Sequence, residues 1–288
     1  MQISIVINPV SGAPAARKRA KKMVSALEKH FNVTAVYTAY AGHAVELTQE
    51  ATKQGATVLV AVGGDGTVNE IASALKHSQT ALMIVPTGSG NGLARDLGMY
   101  GLSAKQVIDR IEQNKVHTID SGMADEKAFF CTCGTGFDAY IGHLFAQTKV
   151  RGFFTYIQLS LKAFKNYTCL TYQLLHDNTT TTTDAFVINV ANNKQFGNNA
   201  YIAPMANMQD GLFTVTIIKP FKWYHVPYMA YSLFFKRMHK NKFAQTFDCK
   251  NITLKLPANA HLHIDGEPIE ATSSNVAINM APASIKVI

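Results

Sequence analysis

Residues Val58 to Glu70 read VLVAVGGDGTVNE, and few arrangements accommodate that order of residue types. The apolar run from Val58 to Val62 is too short for a free helix and suits a buried strand. It breaks at Gly63-Gly64-Asp65-Gly66-Thr67, then resumes with helical spacing through Val68, Ile71, Ala72 and Leu75. A strand, a glycine turn and a helix N-terminus together present backbone N–H groups and a positive dipole end to phosphate. Asp65 is out of place if the turn only holds anions. It fits if a divalent cation sits beside the phosphates, because Mg²⁺ takes carboxylate and phosphate oxygens together. The plainer alternative is a tight turn with Asp65 as a helix cap.

At 288 residues the chain is long enough for two hydrophobic cores, which predicts two domains. Hydrophobic content of 47% against 16% charged residues places it among globular sequences and excludes a disordered chain. The net charge of +8 favours polyanionic partners: nucleotides, nucleic acid or an anionic membrane surface. Cys131, Cys133, Cys169 and Cys249 lack zinc-ligand spacing and read as structural thiols in a reducing compartment. The start MQISIVINPV lacks the basic and long apolar parts of a signal peptide. No apolar run reaches the roughly 18 residues of a membrane span. The expected location is cytoplasmic, with peripheral membrane association.

Ile3 to Ile7 is a short strand ending at the turn Asn8-Pro9-Val10-Ser11-Gly12, where Ser11 and Gly12 can aim backbone donors at an anion. A helix from about Ala15 to His30 carries Arg17, Lys18, Arg19, Lys21 and Lys22, a solvated basic face. Further strands are expected at Val33–Tyr37, Val58–Val62 and Ala81–Val85, with helices at Gly42–Gln54 and Ser103–Asn114. Alternating strands and helices predict a parallel sheet with helices on both faces, which binds ligands beyond the carboxyl ends of its strands. The loops after Ile7, Val62 and Val85, the last reading Pro86-Thr87-Gly88-Ser89-Gly90-Asn91-Gly92, should therefore converge. Neither GxxxxGK[ST] nor GxGxxG is present, so these loops are not a P-loop or a dinucleotide fingerprint.

After about Val116 short strand signals dominate. Leu212 to Ile218 alternates, with Phe213, Val215 and Ile217 on one face and Thr214 and Thr216 on the other. The threonine tract Thr179 to Thr183 reads as a hairpin loop between strands Cys169–Leu175 and Ala185–Val190. Many short strands predict a β-rich antiparallel sandwich. The expected domains are residues 1–120 and residues 121–280, and the order of residues leaves open whether 281–288 return to the first. Two turns carry acids, Asp210-Gly211 and Asp265-Gly266-Glu267, the latter with both carboxylates facing out unless a cleft receives them. Two stretches, Tyr140 to Tyr167 and Lys219 to Phe243, mix aromatic and basic residues; each suits either anionic headgroups or core packing.

Taken in order, Asn8-Pro9-x-Ser11-Gly12, Gly63 to Glu70, Pro86 to Asn91, Gly134-x-Gly136-Phe137-Asp138-Ala139, Asp210-Gly211 and Asp265-Gly266-Glu267 resemble the diacylglycerol kinase catalytic-domain family, which includes soluble bacterial lipid kinases and sphingosine kinases. The resemblance implies a nucleotide-binding domain similar to those of NAD kinases and phosphofructokinases. It implies ATP- and Mg²⁺-dependent transfer of the γ-phosphate to a lipid hydroxyl. Carried over by position, Asn8, Pro9, Ser11, Gly12, Thr38, Gly64, Asp65, Gly66, Thr67, Asn69, Glu70 and Ser89 would surround the nucleotide. Glu267 matches the proton acceptor for the lipid hydroxyl, and Asp65 an acid near the catalytic metal. Asp210, with the main chain of Asn207 and Leu212, matches a Mg²⁺ site, and Asp120 an acid that supports the metal network.

The pattern departs from the bacterial diacylglycerol kinase form at Gly92-Leu93, where Asp-Phe is usual, and at Gly197-Asn198-Asn199, where a glycine-rich triplet is usual. Diacylglycerol, giving phosphatidic acid, is the first expected substrate, and a sphingoid base or another hydroxyl-bearing lipid the second. NAD kinase and a non-catalytic lipid-binding scaffold are the competing readings. The expected partner is a lipid at an anionic membrane surface, not nucleic acid, and a homodimer is compatible with the sequence.

Overall fold

The computed structural model describes residues 1–148, 153–271 and 273–288; the side chains of Phe153 and Phe154 are also outside it. The chain divides into two compact units, Met1–Asp120 with Pro282–Ile288, and Ser121–Ala281.

The first unit alternates strands and helices: β1 (Ile3–Ile7), α1 (Pro14–His30), β2 (Val33–Tyr37), α2 (His43–Lys53), β3 (Val58–Gly63), α3 (Asp65–Leu75) and β4 (Ala81–Pro86). Two further helices follow, α4 (Gly92–Asp96) and α5 (Ala104–Gln113), before β5 (His117–Ala124). Strands β2, β1, β3 and β4 lie side by side in that order, all parallel. Every residue of β1, β3 and β4 is buried, as expected for strands covered on both faces. Pro14 opens α1, where a missing N–H costs nothing, and Ser103 closes a capping box with Gln106 at the start of α5. Lys18, Arg19, Lys21 and Lys22 are exposed on α1, while Ala20, Met23, Val24 and Leu27 are buried.

The second unit continues with β6 (Lys127–Phe129), β7 (Thr132–Gly136), α6 (Phe137–Ala146), α7 (Phe153–Phe164), β8 (Leu170–His176), β9 (Thr179–Ala185), β10 (Val187–Ala191) and β11 (Phe213–Ile218). It ends with α8 (Val226–Phe234), β12 (Ala244–Cys249), β13 (Asn251–Lys255), β14 (Leu262–Ile264), β15 (Glu267–Ile269) and β16 (Asn275–Val287). One sheet runs β12-β11-β10-β7-β14-β15, antiparallel at every described pairing. The other strands, β13, β8, β9 and the first part of β16, pair antiparallel as well. Inward residues of both sheets, among them Tyr172, Leu174, Ile188, Phe213, Val215 and Leu254, form one core. The end of β16 belongs to the first unit, where Val287 pairs parallel with Leu82 of β4.

One expectation needs correction. The threonine tract is not a loop: Thr179–Ala185 is strand β9, paired with β8, and the turn is Asp177-Asn178, both at positive φ (47° and 60°). β-branched threonines suit the strand, while Asp and Asn tolerate the left-handed turn. On the face of β11 opposite Phe213 and Val215, the side chains of Thr214 and Thr216 bond Asp248 Oδ1 and the Ile202 carbonyl. A second apolar cluster, which includes Phe186, Val187, Met229 and Met238, lies beyond that face. Gly92, the last residue of the expected third loop, opens the short helix α4. Of the Tyr140–Tyr167 stretch, Lys149 and Arg151 lie outside the described residues.

Candidate active site

Because β1, β3 and β4 are parallel neighbours, the loops that leave them emerge at one edge of the sheet. The chain runs from β1 outward to β2 and back across to β3, so the strand order reverses beside β1, the place where open α/β sheets bind ligands. Hydrogen bonds tie the three loops together. Asn8 Nδ2 donates to Thr67 Oγ1 at 2.9 Å, and Thr87 Oγ1 donates to Ser11 Oγ at 2.9 Å. Asn91 Nδ2 reaches the Gly63 carbonyl at 3.4 Å.

The backbones approach too closely for side chains. A Cβ added at Gly88 would lie 3.2 Å from the Gly64 Cα, and one at Gly12, which has φ +79°, would overlap the Thr87 carbonyl. Helix α3 starts at Gly64 with no side-chain cap, so the first-turn N–H groups of an eleven-residue helix are left for an anion. Ser89 is exposed at the tip of the third loop. Thr38 follows β2, its N–H bonded to the Ile7 carbonyl at 2.9 Å. Pro9 is exposed, Gly66 is half-buried in the first turn of α3, and Asn69 Oδ1 accepts from Ser73 Oγ at 3.4 Å.

Two of the acids expected here have structural partners. Asp65 accepts the N–H groups of Asn91 through Oδ2 at 2.9 Å and of Gly92 through Oδ1 at 3.1 Å, and so caps α4. Glu70 accepts the N–H groups of Gly42 at 3.0 Å and Ala44 at 3.3 Å, which caps α2, and its carboxylate therefore faces that helix. Sequence reasoning missed Arg95. Its Nε donates to the Gly90 carbonyl at 2.7 Å, and its guanidinium lies 3.6 Å from the Tyr100 ring centroid, so it braces the third glycine loop from behind. An arginine one helical turn past a glycine loop was the only sequence signal for it.

In the second unit, Asp265 and Gly266 sit at φ +49° and +83° and form the two-residue turn between β14 and β15. Glu267, the first residue of β15, is exposed. Asp265 is not turned outward. Its Oδ1 accepts the N–H groups of Cys131 at 2.8 Å and Thr132 at 3.0 Å, and its Oδ2 that of Phe130 at 3.0 Å. Beneath the turn, His263 and Asp138 form a buried pair, Nε2 to Oδ2 at 3.0 Å.

Among the expected metal ligands, Asp210 Oδ1 accepts the Leu212 N–H at 3.0 Å, and Asn207 Oδ1 accepts the Gln209 N–H at 3.2 Å, so both side chains shape their own loop. Asp120 is 3% exposed and accepts the Ala283 N–H at 2.7 Å, where β16 returns to the first unit. Among the described residues no group of three or more His, Cys, Asp or Glu is disposed to hold a metal ion.

Comparison with known proteins places this architecture in a defined class. The family model for the diacylglycerol kinase catalytic domain matches residues 2–124, and that for the YegS C-terminal NAD kinase beta sandwich-like domain matches residues 131–288. The chain belongs to the diacylglycerol kinase catalytic-domain family, in its YegS-like lipid kinase form. A diacylglycerol kinase of Mycobacterium tuberculosis (strain ATCC 25618 / H37Rv) is 27% identical over 224 residues, 75% of this chain and 72% of that protein. YtlR of Bacillus subtilis (strain 168) is 25% identical over 98% of both chains. A diacylglycerol kinase structure from Bacillus anthracis str. Sterne superposes with a TM-score of 0.76 over 100% of this chain and 96% of that one, at 18% identity, a likeness of fold.

Proposed function

We propose that this protein transfers the γ-phosphate of ATP to a lipid hydroxyl, with diacylglycerol as the first substrate and a sphingoid base or another lipid alcohol as the alternative. The observation that carries the reading is the clustering of three glycine-containing loops and an uncapped helix N-terminus at one edge of a parallel sheet. Added Cβ atoms at Gly12 and Gly88 would meet the Thr87 carbonyl and the Gly64 Cα, so the loops pack backbone against backbone, an arrangement that suits a turn presenting amides to phosphate. The family membership and a diacylglycerol kinase among the relatives support a lipid acceptor.

The residues at hand divide the work. Asn8, Ser11, Gly12 and the Gly64–Thr67 turn hold phosphate, with Thr38 and Ser89 on the flanks of the nucleotide. Glu70 acts at one remove, by holding α2 against α3. Glu267 accepts the proton of the lipid hydroxyl, and its exposure leaves the carboxylate free to do so. Asp265 fixes the turn that presents it.

The donor set fits Mg²⁺ as an ion carried with the nucleotide, since this ion keeps waters and substrate phosphates and needs only one or two carboxylates. Asp65 would lie near the ion carried with the nucleotide; Asp210, with the main chain of Asn207 and Leu212, would hold a Mg²⁺ ion within the second unit, and Asp120 would act as a structural support. When bound, Mg²⁺ neutralises charge on the transferring phosphate. The lipid is taken to be presented at an anionic surface, in keeping with the net charge of +8. Among the described residues no helix is long and apolar enough to cross a membrane.

The test is incubation with labelled ATP, Mg²⁺ and a panel of lipids in mixed micelles. Label in a lipid product, lost in Glu267→Gln, supports the reading. Phosphorylation of NAD and of no lipid would overturn it in favour of an NAD kinase, and lipid binding without turnover would favour a scaffold.

A further inference from the structure

Between Asp210 and Asp248 the chain contains no acidic residue. Lys219, Lys222, Lys236, Arg237, Lys240 and Lys242 lie in this interval, all exposed. The segment folds as a 3-10 turn at Trp223–His225, helix α8 and a second 3-10 turn at Met238–Lys240. α8 turns Met229 and Ser232 inward, and Leu233 packs against the apolar cluster that includes Met238. Its core-facing side is thus occupied.

The opposite side is aromatic. Tyr228, Tyr231 and Phe235 recur at helical spacing, with the Tyr231 and Phe235 rings stacked at 4.9 Å. Trp223 is 74% exposed and Phe235 is 66% exposed. Large apolar rings gathered on one face are unusual on a surface that meets only water.

We propose that this aromatic and basic face of α8 and its flanking turns docks on an anionic bilayer. The inference rests on the lipid-kinase reading for its substrate but on α8 for its geometry. Charge decides the occupant: a run with no acid repels a basic partner and gains about 1 kcal/mol per Lys or Arg near an anionic membrane. Tryptophan and tyrosine favour the boundary between headgroups and acyl chains, where one part of the ring is apolar and the other wet. Lysine stems can lie along the apolar rings while their ammonium groups reach phosphate. At nine residues α8 is far too short to span, so it lies in the plane of the interface.

Trp223 is the only tryptophan in the chain and reports on the site directly. The full chain is mixed with vesicles of phosphatidylcholine, with or without phosphatidylglycerol. Emission from Trp223 should move to shorter wavelength only with the anionic vesicles, be quenched by brominated acyl chains, and return as salt rises. The triple variant Lys222→Glu, Phe235→Ser, Arg237→Glu should bind such vesicles at least about tenfold more weakly, as two reversed charges and one lost ring predict. It should melt at the wild-type temperature and turn over a short-chain, monomeric diacylglycerol at the wild-type rate.

Turnover of that soluble lipid with no Trp223 shift on anionic vesicles overturns the docking face and leaves the kinase reading standing. A Trp223 shift with no lipid turned over supports the face and overturns the kinase reading. A shift that follows protein concentration and not vesicles assigns the face to a second copy of the chain and also overturns the proposal.

Discussion

Asp65 and Asn91 are joined across two loops, the Asp65 Oδ2 accepting the Asn91 N–H at 2.9 Å while Oδ1 takes the next amide, that of Gly92. The carboxylate therefore fixes the third glycine loop to the start of α3, whatever else it contacts when nucleotide is bound. Asn91 is 1% exposed and sits at φ +45°, so its amide has little access to water if the carboxylate is removed. Asp65→Ala should cost about 1.5–3 kcal/mol, the range for hydrogen bonds to a charged acceptor. Urea unfolding of the full chain measures that loss. Nucleotide affinity, followed by calorimetry, should fall with it, because the loops lose their register. Unchanged stability would show that the tie carries no energy.

Gly12 carries a separate constraint. At φ +79° an L-residue costs about 1–2 kcal/mol, and here the added Cβ would also overlap the Thr87 carbonyl. Gly12→Ala should therefore push the first loop away from the third and break the Thr87–Ser11 bond. Nucleotide binding is expected to drop by more than tenfold, while α1 and the sheet stay folded by circular dichroism.

How far the sequence could be read follows from what each residue type leaves undecided. The buried strands β1, β3 and β4 are near-continuous apolar runs, and glycines mark their ends, so the strands and the loop cluster were legible. The acids were legible as types but not as contacts. Nothing in the order of residues says that Asp65 spans to Asn91, Glu70 to Gly42, or Asp265 to Cys131, because each bond closes only after distant segments meet. Thr179 to Thr183 misled because polarity suggested a loop, whereas β-branching and pairing with β8 make a strand. Arg95 was hidden because bracing two carbonyls leaves no pattern in the sequence.

The thiols supply a prediction in pH. Burial pushes the Cys133 thiol well above its ordinary range, and burial, followed by the nearby Asp177 and Asp248 charges, pushes Cys249 up to about 12. A raised thiol pKa means the protonated, unreactive form persists at pH 8. Alkylation at that pH should spare Cys133 and Cys249 in the native chain and modify both in urea, as peptide mass analysis can check. Rapid labelling of either under native conditions would contradict the burial.

Asp265 and Glu267 stand two residues apart yet should fail differently. The Asp265 carboxylate holds three amides of the segment Phe130–Thr132, and its removal strands donors beside buried Phe130 and Thr132. Asp265→Ala should lower the melting temperature by several degrees, since about 2 kcal/mol corresponds to roughly 4–8 °C in a domain of this size. It should also reduce lipid phosphorylation, because the turn that carries Glu267 loses its anchor. Glu267 is exposed, so Glu267→Gln should leave the melting temperature where it was. Its loss should appear in kcat, with the nucleotide Kd unchanged, as expected for a group that acts only on the proton in transit. If Glu267→Gln retains full turnover while Asp265→Ala does not, the proton acceptor lies elsewhere and the turn matters only as structure.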